Sequence, residues 1–152
     1  MSLDRRRILH VNVTKHPTTE WTAQQLVEAF AHSPLPRFLQ RDRDGIFGAA
    51  FVAKMKALEI DELISAPRSP WQNGYVERLI GTIRRECTDH IIPLSEQHLL
   101  RTVREYAAYY NESRTHQSLA GNAPVARRVQ HVGQVISTPV LNGLHHRYSR
   151  VA

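Results

Sequence analysis

Two carboxylates could do chemistry together. Asp42 falls in Arg41-Asp42-Arg43-Asp44-Gly45, a turn that closes a short strand-like run, and Glu77 falls in a segment that Ser69-Pro70 marks as a helix start. Carboxylates on separate rigid elements can hold two divalent ions against a phosphodiester, where the ions stabilise the attacking and leaving oxygens. Magnesium takes hard oxygen ligands and keeps several waters, so a few carboxylates suffice. Spacing alone does not single out this pair among 14 acidic residues. Asp44 rivals Asp42, its ordinary alternative being a turn residue that caps local amides.

The residues around them divide into ligand candidates and packing. On a helix advancing roughly 100° per residue, Gly81 and Arg84 share the azimuth of Glu77 and Arg85 lies beside them. Arg84 and Arg85 are therefore candidates for phosphate contact, with a solvated helix face as the alternative. Trp71, in the first turn of the same helix, is read as a packing anchor, base stacking being its other use. Cys87 is the only cysteine and lies on the apolar side of this helix, which favours packing over nucleophilic work. Nine histidines raise zinc, but no Cys/His pair has finger-like spacing, and His145-His146 reads as exposed on a basic tail.

The elements that must position these groups alternate. Residues 8–13 alternate apolar and polar and read as a strand. Thr18 or Thr19 can cap a helix carrying Ala23, Leu26, Val27 and Phe30, which ends before Ser33-Pro34-Leu35-Pro36. A strand at residues 38–40 follows, then a helical stripe of Phe51, Val52, Met55 and Leu58, then a strand at residues 59–64. From Ser69-Pro70 a helix places Val76, Leu79, Ile80, Ile83 and Cys87 on one face. Another starts near Ser95, where Leu94 and Leu99 could form a hydrophobic staple, and buries Leu99, Leu100, Val103, Tyr106, Ala107 and Tyr110. Residues 134–141 and 145–151 could close a hairpin around Asn142-Gly143. The alternation favours an α/β layered fold.

Length and composition bound the rest. With 152 residues the chain has room for one ordinary domain. The formal charge of +6 favours an anionic partner, most commonly nucleic acid. No apolar run approaches the roughly 20 residues of a membrane-spanning helix, and the charged N-terminus lacks a secretory h-region. A lone cysteine allows no intramolecular disulfide, which fits a cytoplasmic location.

Three blocks of the chain, in order, carry a resemblance. They are residues 41–47, then Ala66-Pro67-Arg68-Ser69-Pro70-Trp71-Gln72-Asn73-Gly74-Tyr75-Val76-Glu77-Arg78, then Tyr109-Tyr110-Asn111-Glu112-Ser113-Arg114-Thr115-His116-Gln117-Ser118-Leu119. Together they resemble the integrase catalytic core shared by insertion-sequence transposases and retroviral integrases, over roughly residues 5–128. The resemblance implies an RNase H-like mixed sheet flanked by helices. It also implies a triad of two aspartates and a glutamate binding two Mg2+ or Mn2+ ions. In it, Asp42 is the second aspartate and Glu77 the glutamate. The 34 residues between them are one short of the family's best-known spacing. Arg114 and His116 match the last block and join Arg84 and Arg85 as candidate DNA contacts, with capping of helix-end carbonyls as their alternative.

The departure is N-terminal. The family's first aspartate lies in a first strand well before the second, yet Asp4, the only aspartate ahead of Asp42, precedes the strand and reads as a solvated turn residue. The expectation is a truncated core, residues 1–128, lacking its first two strands, with residues 129–152 as an extension. Strand order 3-2-1-4-5 in the family would leave residues 8–13 as a strand without its neighbour. The segment would then oligomerise, pair residues 8–13 directly with the strand at 38–40, or be poorly stable. Function follows as DNA phosphodiester hydrolysis and strand transfer by a homo-oligomer on DNA. An inactive remnant that binds DNA or other transposase subunits is the alternative.

Overall fold

The structure is a computed structural model that describes residues 1–31 and 33–151. The chain divides into two compact units, Thr14–Gly81 and Met1–Val13 with Thr82–Ala152.

In the first unit, helix α1 (Thr19–Phe30) begins where the Thr18 hydroxyl accepts from the Trp21 amide at 3.1 Å, the expected cap. Strand β1 (Phe38–Arg41), helix α2 (Ala49–Ala57) and strand β2 (Asp61–Ile64) follow. β1 and β2 pair in parallel, from Phe38 opposite Asp61 to Arg41 opposite Ile64. A parallel pair needs a crossover, and α2 supplies it. Ala23, Leu26, Phe51, Met55 and Ile60 form the core, with Phe30, Leu39, Phe47 and Leu58 packed against it.

β2 begins two residues later than the expected 59–64 because Glu59 and Ile60 terminate α2 instead. Glu59 takes a left-handed φ of 55°, its amide donates to Lys56 O, and the Ile60 amide donates to Met55 O at 3.0 Å. This is a Schellman motif, sealed by contact between buried Ile60 and Met55.

Helix α3 (Gly74–Glu86) is preceded by a 3-10 turn, Pro70–Asn73. Ser69 does not cap it as expected; its hydroxyl donates to Pro67 O at 3.2 Å. Pro70 does open the turn, its missing amide costing nothing there. On the expected apolar face of α3, Ile80 is instead exposed.

The second unit centres on helix α4 (Glu96–Glu112), capped by the Ser95 hydroxyl accepting from the His98 amide at 3.0 Å. Thr102, Tyr106, Ala107 and Tyr110 form its buried stripe; Tyr106, Ala107 and Tyr110 are expected there, whereas Leu99, Leu100 and Val103 are only half-buried and Thr102 takes a place the spacing does not assign it. The Leu94 staple does not form: Leu94 is 84% exposed, and its backbone amide donates to the His98 ring at 3.3 Å. Strands β3 (Gln134–Val140) and β4 (His145–Val151) pair antiparallel around a turn at Leu141, Asn142 and Gly143, all with positive φ. This is the expected hairpin. It packs with α4 through buried Val140, and the Leu141 amide donates to Glu105 at 2.7 Å.

Residues 8–13 belong to no ladder, which corrects the expected strand and its pairing with β1. Alternation specifies which face is apolar, but a strand also needs a backbone beside it. Here the Asn111 amide takes that place at one residue, accepting from Ile8 N and donating to Ile8 O, both at 2.9 Å. Arg5 adds bonds to the carbonyls of Pro124 and Ala123 at 2.6 and 3.0 Å.

Candidate functional site

Asp42 directly follows the last residue of β1, and both it and Glu77 are exposed. The ends of the two strands are fixed against each other. Arg41 pairs with Glu62, its side chain only 10% exposed, and its Nη1 donates to Asp42 O at 2.8 Å. Arg43 Nε donates to Ser65 O at 3.1 Å, and the Ser65 amide donates to Arg41 O at 2.9 Å. Beyond the strand, Asp42 accepts from the Asp44 amide at 3.1 Å and Asp44 from the Ile46 amide at 3.0 Å. Asp44 thereby caps a 3-10 turn, Gly45–Phe47, the capping role anticipated for it.

Two glutamines tie the start of α3 to this strand end. Gln40, two residues before Asp42, donates through Nε2 to Gln72 O at 2.6 Å, and Gln72 Oε1 accepts from the Ala66 amide at 2.7 Å. The segment after β2 and the turn opening α3 are thus held to β1 by hydrogen bonds. Glu77 sits in the first turn of α3. The sequence pattern gave no sign of Gln40, a lone polar residue in a short strand. Gln72 lay within the second quoted block but was assigned no role.

The carboxylates are hard oxygen donors of the kind magnesium and manganese take. Their number falls short of the triad: among the described residues no three His, Cys, Asp or Glu side chains gather to hold a metal ion. Trp71 is not the packing anchor expected. It is 74% exposed, because a 3-10 turn rather than the first turn of α3 carries it.

The remaining expected contacts lie in the second unit and differ among themselves. Arg84 and Arg85 are exposed in the last turn of α3. Arg114 instead grips Glu86 with both arms of its guanidinium, Nε to Oε2 at 2.7 Å and Nη2 to Oε1 at 2.6 Å. The Tyr106 hydroxyl donates to the same carboxylate at 2.8 Å. Burial pushes the Glu86 carboxyl up, but the hydrogen bonds from Arg114 and Tyr106 outweigh it and hold the group below the usual range. Burial and the Glu86 bond drive the Tyr106 phenol strongly upward. His116 is 8% exposed against the Tyr110 ring, its pKa lowered by burial and then by Arg114. His145 corrects the exposed-tail reading: its ring stacks on Tyr109 at 4.6 Å and bonds Glu86 O at 2.6 Å. Cys87 is fully buried with its thiol pushed up by that burial, as packing requires.

In fold, the chain is similar to a chain of the simian T-cell lymphotropic virus intasome, solved in complex with the PP2A regulatory subunit B56 gamma. The TM-score is 0.55 at 18% identity, covering 89% of this chain and 53% of that one. The α/β class is therefore that of an integrase-like fold. Residues 58–124 match the integrase core domain family. A further relative is the uncharacterized 39.2 kDa protein of insertion element IS476 from Xanthomonas euvesicatoria, 27% identical over 108 residues, 70% of this chain. The family match, the insertion-element relative and the fold neighbour together support an integrase/transposase catalytic core. It spans 31% of the length of the insertion-element relative and about half of the intasome chain.

Proposed function

We propose that this segment is part of a metal-dependent polynucleotidyl transferase that cuts DNA and joins its ends. Asp42 and Glu77 would hold Mg2+ or Mn2+ as two ligands of the family's triad. When bound, the ions would stabilise the attacking and leaving oxygens at phosphorus. The chain's own residues keep one carboxylate at the end of β1 and the other in the first turn of α3. Arg84 and Arg85 would contact phosphates. Arg114 and His116, proposed from the third block, would serve DNA binding chiefly by holding the end of α4, since Glu86 occupies the guanidinium. An intasome is an assembly on DNA, which supports DNA and further copies of this chain as partners. A lone cysteine fits action in the cytoplasm.

The observation that carries this reading is the Gln40–Gln72 tie between β1 and the turn that opens α3. The test is Mn2+ titration followed by electron paramagnetic resonance on the parent chain and on Asp42→Asn and Glu77→Gln, with nicking of a supercoiled plasmid in parallel. Loss of ion binding in both variants is expected. Unchanged binding in either variant removes that carboxylate from the site.

Among the described residues no three His, Cys, Asp or Glu side chains gather to hold a metal ion, which favours one second reading, a segment that binds DNA without cutting it. Salt-dependent binding with no metal-dependent nicking by the parent chain would select it.

A further inference from the structure

The positive charge is unevenly placed along the chain. Of its 20 lysines and arginines, five arginines follow Glu112, and none of the 14 acidic residues does, so these last residues carry +5 of the net +6. The structure gathers part of that charge. A cleft of about 660 Å3 lies between the loop at residues 120–130 and the β3–β4 hairpin, and Arg127, Arg128 and Arg150 line it with Asn122, Gln130 and Tyr148. No acidic side chain lines it among the described residues. All three arginines are exposed, and the Tyr148 ring is 62% exposed.

Both walls of the cleft are braced. Gln130 Oε1 accepts from the Arg150 amide at 2.8 Å, which ties the loop to β4. Arg150 Nη1 donates to Gly133 O at 2.8 Å, which orients its guanidinium while leaving other N–H groups to donate. Asn122 Oδ1 accepts from the amides of Ala123 and Arg127 at 2.8 and 3.2 Å, shaping the loop that presents Arg127 and Arg128. Gly133 passes against the end of β4 at φ 102°, where an added Cβ would lie 2.2 Å from Val151 O, so only glycine permits this closure.

We propose that this cleft is a binding site for the sugar-phosphate backbone of DNA, separate from the residues Asp42 and Glu77. Guanidinium forks match phosphate oxygens, and an exposed tyrosine face suits a sugar or an unstacked base. An acidic peptide would use the arginines but would leave the aromatic face unused. The proposal rests on the reading of this chain as one that acts on DNA and adds where a strand is held.

The test is fluorescence anisotropy of a labelled duplex oligonucleotide with the whole chain, across salt concentrations. The variants are Arg128→Gln with Arg150→Gln, Arg128→Gln alone, and Arg84→Gln with Arg85→Gln. Two lost phosphate contacts should weaken binding about tenfold or more and flatten the log–log salt slope by roughly 1.8. The single variant keeps the Arg150 bond to Gly133 and should give about half that slope change, which separates lost contacts from a disrupted hairpin. Unchanged affinity and slope in the Arg128 variants, with loss only in the Arg84 and Arg85 variant, would overturn the cleft and leave the DNA reading standing. No DNA binding by the parent chain would overturn both. Polyglutamate binding as tight as DNA, and lost in the same variants, would replace DNA with an acidic protein as the ligand.

Discussion

Replacing Arg114 by alanine takes two short hydrogen bonds, at 2.7 and 2.6 Å, from Glu86 and leaves that carboxylate with the Tyr106 hydroxyl as its remaining side-chain donor. The two side chains are 25% and 29% exposed, so the pair is shielded from water but not sealed. Breaking a fully buried pair costs about 3–5 kcal/mol and an exposed pair under about 1. Partial shielding places Arg114→Ala at about 2–3 kcal/mol, a fall in Tm of roughly 4–12 °C for a chain of this size. Arg114→Lys keeps the charge without the fork and should recover part of the loss. The pH dependence supplies the sharper test. Glu86 titrates below its unfolded value, so its stabilisation is fully present above about pH 4.3 and is lost as pH falls through the lowered folded value. Urea unfolding at neutral pH and near pH 3 should therefore show the Arg114→Ala penalty shrinking in acid. A penalty below about 0.5 kcal/mol at neutral pH, or one that is constant with pH, would refute the assignment of Arg114 to this network.

Glu59→Gly should stabilise the chain by about 0.5–1 kcal/mol in urea unfolding, because φ 55° strains a side chain and suits glycine. Gln40→Leu should cost about 1 kcal/mol by the same assay and weaken Mn2+ binding without removing a ligand, since it frees the turn at Gln72 from β1. Cys87, fully buried, should react with a thiol reagent only as fast as the chain unfolds; rapid labelling in native buffer would contradict its packing role.

Elements that carry their own local signals were legible in the sequence. α1 and α4 announce themselves by a capping hydroxyl and helical spacing, and the hairpin by Asn142-Gly143 between alternating runs. What failed depended on a neighbour or a turn geometry that periodicity does not report. Residues 8–13 alternate as a strand should, but a ladder needs a neighbouring backbone. Leu94 has the right spacing for a staple, yet its amide donates to the His98 ring and its side chain is exposed. Trp71 reads as a packing anchor because the sequence places it in the first turn of a helix, whereas it lies in the 3-10 turn Pro70–Asn73 and is exposed. Of the candidate site, Asp42 and Glu77 came from turn and helix signals joined to a resemblance. The Gln40–Gln72 bond spans 32 residues, and no periodicity reports such a pair.

The third quoted block shows how a motif can look like a binding surface and be built as a joint. Asn111 holds Ile8 by both backbone groups, and its own carbonyl accepts from the Val125 amide at 2.7 Å. Arg114 holds Glu86 at the end of α3, while His116 packs edge-on against Tyr110 and its amide bonds Asn122 O at 3.0 Å. The Asn111 and Arg114 side chains thus fix different segments of chain around the end of α4. Arginine and histidine beside a tyrosine pair suit nucleic acid equally well on composition alone, since the same donors serve phosphate and carboxylate. Burial decides between the two uses. His116 is shielded and Arg114 is engaged by Glu86, whereas Arg84, Arg85 and Arg128 keep their guanidinium groups in solvent. A phosphate arriving from solution meets the exposed groups at no cost to the fold, but it could take Arg114 only by displacing Glu86 and stranding a half-buried carboxylate.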